Sequence, residues 1–168
     1  ALPGVTKRTL PFTPARLWNA ETGKELFALE GHDCSVFGAV FSPDGKRLLT
    51  TSDGQSSPET FYESGEHEIF TVGRTGSKRG ETVARVWDVQ TGRQLAVLGG
   101  HTGPVTCAVF SPDGQRVLTA DSRALYVWDA GTGKRVRACP GLGVVSAAFS
   151  PDGQWIVAAN KTIVARVY

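Results

Sequence analysis

The stretch FSPDG stands at Phe41–Gly45, again at Phe110–Gly114 and again at Phe149–Gly153. The first two copies begin 69 residues apart, and the second and third begin 39 apart. A second marker runs alongside: ARLW ends at Trp18, ARVW at Trp87, LYVW at Trp128 and ARVY at Tyr168, in steps of 69, 41 and 40 residues. Two independent markers thus give a unit of about 40 residues with one enlarged copy. From Phe110 to Trp128 is 18 residues, whereas from Phe41 to Trp87 is 46. The excess therefore lies between LLTTSD and TVARVWD, at Gly54–Glu81.

Each unit reads as four short strands. In the least disturbed copy PVTCAVFSP, QRVLTA, ALYVWD and KRVRAC are the strands in order. The PDG between the first two is a hairpin turn. Proline fixes φ at the first central position, aspartate bonds its own turn backbone, and glycine takes the left-handed position. A second turn, ETGK, QTGR or GTGK, sets glycine before a base in each copy. Both turn types fall at one end of a four-stranded meander.

With GH at Gly31–His32 and Gly100–His101, FSPDG three times, and WD at Trp87–Asp88 and Trp128–Asp129, the chain resembles the WD40-repeat family from Ala15 to Tyr168. The near-identical turns are similar to those of prokaryotic members. The resemblance implies an all-β fold, a β-propeller of four-stranded antiparallel blades around a channel. Residues 1–14 are then an N-terminal extension, and 15–168 a propeller portion with an insertion at 54–81. The first copy has only its third and fourth strands, with Asn19 where WD has Asp, and the last has three strands. Thirteen strands make roughly three blades. Closed rings have about four to eight, so the arc is expected to belong to a larger ring or to be completed by other chains.

The composition fits this reading. The 168 residues are 40% hydrophobic and 20% charged, as in globular chains. A net charge of +2 is too small to imply nucleic acid or anionic lipid. No apolar run is long enough to span a membrane. No leader is visible, which leaves the cytoplasm as the default compartment. The absence of methionine fits a trimmed start or excision from a longer chain. Cys34, Cys107 and Cys139 are odd in number and without a C-x-x-C pair, which argues against a disulfide framework or a zinc site. Cys107 is expected in the core.

His32, Thr50, Asp53 and Trp87 form a set that recurs as His101, Thr119, Asp121 and Trp128. The residue types resemble a hydroxyl–His–Asp triad, but an enzyme rarely needs one triad per repeat. The family resemblance implies a structural role: a buried hydrogen-bond chain from indole through hydroxyl and imidazole to carboxylate. Glu81 is an alternative to Asp53. The last copy has Ala158 and Tyr168 at the threonine and tryptophan positions, so its chain is expected to be missing. Asp44, Asp113 and Asp152 sit in separate turns and do not converge on a metal. Neither a cofactor nor a metal is expected.

Two surfaces stand out. Lys46, Arg47 and Arg116 follow PDG, and Lys24, Arg93, Lys134 and Arg135 follow the TG turns, so that rim carries bases. No aromatic residues interleave with them, which argues against nucleic acid. The insertion leaves the opposite end, beside the GH loops, where family members often bind partners. Within it TFYESGEHEIF reads as a hairpin about Ser64-Gly65. Phe61, Tyr62 and Phe70, with Arg74, Lys78 and Arg79, are its candidate contacts. The expected function is a non-catalytic scaffold for protein–protein interaction, with protein partners or further blades from the same or another chain. A sensor or accessory propeller of a longer multidomain protein carrying a catalytic or redox module is the alternative, and an enzyme in its own right comes last.

Overall fold

The computed structural model describes residues 5–9, 14–52, 54–56, 60–64, 67–69, 78–79, 81–140, 143–160 and 166–167, with backbone alone at 5–9, 55–56, 60–64, 67–69, 78–79 and 166–167. The strands are β1 (Val5–Thr9), β2 (Ala15–Trp18), β3 (Glu25–Leu29), β4 (Val36–Phe41), β5 (Arg47–Ser52), β6 (Gln55–Ser56), β7 (Thr60–Ser64), β8 (His67–Ile69) and β9 (Lys78–Arg79). They continue as β10 (Ala84–Asp88), β11 (Gln94–Leu98), β12 (Cys107–Phe110), β13 (Arg116–Ala120), β14 (Ala124–Asp129), β15 (Arg135–Pro140), β16 (Val144–Phe149), β17 (Ile156–Asn160) and β18 (Arg166–Val167).

Thirteen of these build four antiparallel sheets. Blade I is the hairpin β2-β3, blade II is β4-β5-β10-β11, blade III is β12-β13-β14-β15, and blade IV is β16-β17-β18. The enlarged copy keeps its blade intact, because β5 pairs with β10 directly, Thr50 opposite Arg85 and Leu49 opposite Val86. The inserted residues leave and return through the short pair β6·β9. The hairpin β7-β8 gains a third strand from the N-terminal segment: Val5 pairs with Ser64, and Thr9 with Thr60. The arc is open, with an incomplete blade at each end.

The turns account for the strand ends. At Ser42–Arg47 the Gly45 amide donates to the Ser42 carbonyl at 2.9 Å, and Gly45 sits at φ +69°. The Asp44 carboxylate accepts the Lys46 amide at 3.0 Å. The Ser42 hydroxyl donates to Asp44 at 2.5 Å and accepts the Arg47 amide at 2.9 Å. Ser111 and Ser150 repeat this arrangement, so the serine of FSPDG is as much a turn residue as the aspartate. At the second turn one oxygen does the capping: Asp88 accepts the Thr91 amide and hydroxyl, both at 2.7 Å. Asn19 does the same with its amide oxygen, taking the Thr22 amide and hydroxyl at 2.7 and 2.9 Å. Its difference from WD is therefore neutral to the turn.

The core lies between blades. Leu49, Val86 and Leu98 of blade II pack on Phe110, Val117 and Trp128 of blade III. The other face of blade III, with Leu118, Leu125 and Val127, packs on Val144, Ala147 and Ala158 of blade IV. Half-buried Cys107 borders that second cluster. Leu29 of blade I packs on Leu48 and Trp87 of blade II. The central strands of blades II and III are buried on both faces, so their polar residues must find partners inside.

Candidate functional site

In blade III the indole Nε1–H of Trp128 donates to Thr119 Oγ1 at 2.8 Å. Thr119 lies 2.8 Å from His101 Nε2, and His101 Nδ1 lies 3.3 Å from the Thr82 carbonyl. A carbonyl only accepts, so Nδ1 carries the proton and Nε2 accepts from the threonine hydroxyl. The chain thus runs from indole to hydroxyl to imidazole to a main-chain carbonyl of blade II. The left-handed Gly100, at φ +96°, precedes the histidine and turns the loop inward.

Asp121 is not the last link of that chain. Its fully buried carboxylate accepts the Thr102 amide and hydroxyl at 2.7 and 3.0 Å, the Arg123 and Ala124 amides at 2.7 and 2.9 Å, and the Tyr126 hydroxyl at 3.3 Å. Five donors fill its lone pairs, and Thr82 satisfies the imidazole. Burial alone would raise the pKa of Asp121, but the amides of Thr102, Arg123 and Ala124 outweigh it and hold the carboxyl below its usual range. Burial pushes His101 down, against the pull of the Thr82 carbonyl and the Asp121 charge.

Blade II repeats the first part. Trp87 Nε1–H donates to Thr50 Oγ1 at 2.8 Å, and His32 Nε2 lies 2.7 Å from that oxygen. Arg85 stands where blade III has Tyr126, and Asp33 where it has Thr102. Burial and then the Arg85 charge push His32 down to about 4, with Asp33 opposing. His32 Nδ1 and Arg85 Nε are buried without a partner among the described residues. Asp53 lies outside them. Glu81 is exposed, and its described bonds run through its main chain: its carbonyl accepts the Ser52 hydroxyl at 3.0 Å and its amide donates to Asp33 at 3.3 Å.

The other expected residues are spread out. Asp44, Asp113 and Asp152 each serve their own turn. On the basic rim Arg47 is engaged: its guanidinium donates to the Gly114 carbonyl at 2.7 Å and lies 5.7 Å over the Phe110 ring. Lys24, Lys46, Arg93, Arg116, Lys134 and Arg135 are exposed. In the insertion Phe61 and Tyr62 lie on β7, and Lys78 and Arg79 on β9. Phe70, Arg74 and Tyr168 lie outside the described residues. Among the described residues no group of three or more histidines, cysteines and carboxylates is placed to hold a metal, and no helix is long and apolar enough to cross a membrane.

Four-stranded antiparallel blades, packed face to face and pinned by indole–hydroxyl–imidazole chains, define a WD-type propeller portion. Comparison with known proteins agrees. The WD40 family model (WD domain, G-beta repeat) matches residues 23–55, 92–129 and 133–164. The chain belongs to the WD40 family. It is 29% identical over 116 residues to WD repeat and SOCS box-containing protein 1 of Xenopus tropicalis, covering 68% of this chain and 21% of that one. It is 36% identical over 88 residues to pre-mRNA-processing factor 19 of Oryza sativa subsp. japonica, covering 52% and 16%. The chain thus spans about a fifth of the length of these curated relatives. The structure of U3-55K superposes with a TM-score of 0.62 at 19% identity, over 83% of this chain and 37% of that one, a likeness of fold. WD40 domains are generally non-catalytic scaffolds that bind protein partners.

Proposed function

We propose that the chain is a non-catalytic scaffold that holds a protein partner on its loops, with the blades as a rigid support. The supporting observation is that the side chains with chemical potential in the complete blade III are already occupied. In blade III the hydroxyl, the imidazole and the carboxylate are all spent on Trp128, the Thr82 carbonyl and the 102–126 donors. A threonine that accepts an indole proton and donates to an imidazole is poorly placed to attack a substrate.

The partner contact is assigned to the insertion, through Phe61, Tyr62, Phe70, Arg74, Lys78 and Arg79. Loops on a rigid scaffold are where specificity is commonly placed. Phe61 and Tyr62 are neighbours on the backbone of β7. The test replaces 57–80 by a short Gly-Ser linker. Partner capture should be lost while the thermal melt is kept. Capture that survives the deletion would move the contact to the blades.

The second reading, an accessory propeller in a longer multidomain protein, draws on the small share of its relatives that the chain covers. A catalytic or redox module encoded in the same polypeptide would support it.

A further inference from the structure

Where the first strand of one blade meets the first strand of the next, the seam between blades III and IV is crossed by two polar side chains. Thr106 Oγ1 donates to the Val144 carbonyl at 2.8 Å. The Cys107 thiol donates to the Ala147 carbonyl at 3.4 Å and accepts the Ala147 amide at 3.3 Å. One side chain thus satisfies both main-chain groups that Ala147 turns away from its own sheet.

Between the complete blades II and III the equivalent positions are Phe37 and Gly38, which offer no polar side chain. The Val105 carbonyl and the Ala108 amide and carbonyl, equivalent to those of Val144 and Ala147, therefore have no side-chain partner among the described residues. Gly38 is paired with Thr51, whereas Cys107 is paired with Ala120. The exchange is steric: a Cβ on Gly38 would stand 2.5 Å from Thr51 Oγ1. Thr51 is only 4% exposed, and its hydroxyl has no hydrogen-bond partner among the described residues. A buried hydroxyl and a free amide and carbonyl are costly unless met. The space left here is a cavity of about 290 Å³, in which Thr51, Val105 and Ala108 stand with apolar Val40 and Leu49 and with half-exposed Phe37. Among the described residues no charged side chain lines it.

We propose that this cavity binds a small neutral carboxamide. A carboxamide carries a donor and an acceptor side by side. Its N–H donates to the Ala108 carbonyl and its C=O accepts the Ala108 amide, the two roles that the Cys107 thiol plays for Ala147. The Thr51 hydroxyl supplies a further hydrogen bond, and the apolar part of the ligand lies against Val40, Leu49 and Phe37. A carboxylate does not fit, because one of its oxygens would meet the Ala108 carbonyl with no cation beside it. An ammonium does not fit, because no carboxylate lines the cavity to pair with it. The volume is close to the lower end of the range for small-molecule sites, about 300–1,000 Å³. The site shares no residue with the insertion, so this proposal and the partner reading stand or fall separately.

The test is an NMR titration of the whole chain with benzamide, following the backbone amide of Ala108. Benzoate, the same ring with a charged group, is the control. Benzamide should shift the Ala108 amide saturably, with a Kd on the order of a millimolar, as for a fragment held by a few hydrogen bonds. Benzoate should leave it in place. Thr51→Ala copies Ala120 and should weaken benzamide about fivefold, as for one hydrogen bond lost. Gly38→Cys combined with Thr51→Ala copies the Cys107–Ala120 pair. That double variant should melt within a few degrees of wild type and no longer respond to benzamide, because its thiol takes Ala108. Where the double variant does not fold, Thr51→Ala decides alone. No saturable shift at Ala108, an equal response to benzoate, an unchanged affinity in Thr51→Ala, or undiminished binding by a folded double variant would each overturn the proposal.

Discussion

The seam between blades II and III and the seam between blades III and IV are built from equivalent positions, yet they differ. At the first, Phe110, Val117 and Trp128 are buried, and Arg47 reaches across to Gly114 and Phe110. At the second, Phe149 and Ile156 are only partly buried, Arg116 is exposed, and a cavity remains. Burial in a repeat array is supplied by the neighbour as much as by the residue. The difference predicts that equivalent substitutions will have unequal effects along the chain.

The largest contrast is expected between equivalent tryptophans. Trp128→Ala should cost about 3–5 kcal/mol through the cavity and the orphaned threonine. Trp18→Ala, on an exposed side chain, should stay within about 0.5 kcal/mol. Urea unfolding of both variants reads the difference, and equal costs would erase the distinction between middle and end. Next comes Asp121→Ala, which leaves five donors without their acceptor and should cost about 2–3 kcal/mol. Asp152→Ala, on an exposed turn, should lower the melting temperature distinctly less.

A pH titration sharpens the comparison of blades II and III. The folded-state value of His32 lies below the unfolded 6.5, so the folded protein binds fewer protons. Stability from this group is full above about pH 6.5 and is lost as pH falls towards 4. Allowing for solvent screening, the loss is on the order of 2 kcal/mol. His32→Gln should flatten that part of the profile, and an unchanged slope would remove His32 as its source. The smallest effect is expected for the two arginines after the PDG turns: Arg47→Ala should cost about 1 kcal/mol, and Arg116→Ala, exposed, nothing measurable.

The blades were legible in the sequence because the period, the PDG turn and the paired GH and WD are local signals. The thirteen blade strands follow from them, and so does the intact pairing of β5 with β10 around the insertion. The partnership of β1 with β7 was not legible, since a strand drawn from over 50 residues away leaves no turn signal between the two. The side chains of the buried chain in blade III were readable as a recurring set. Its last acceptor was not, because the Thr82 carbonyl is main chain and carries no residue signature. Without that acceptor in view, the family pattern pointed from His101 to Asp121, which is instead filled by Thr102, Arg123, Ala124 and Tyr126. The turn role of the FSPDG serine is hidden in the sequence for a different reason: proline, aspartate and glycine already explain a turn.

The most direct test of a structural role for the indole–hydroxyl–imidazole chains is hydrogen exchange at the four tryptophan indoles, followed by NMR. The Trp87 and Trp128 indoles, each bonded to a buried threonine, should exchange far more slowly than those of Trp18 and Trp155, and Thr119→Val should release Trp128 alone. Four indoles that exchange alike, or a Trp128 that stays protected without the Thr119 hydroxyl, would contradict the structural role.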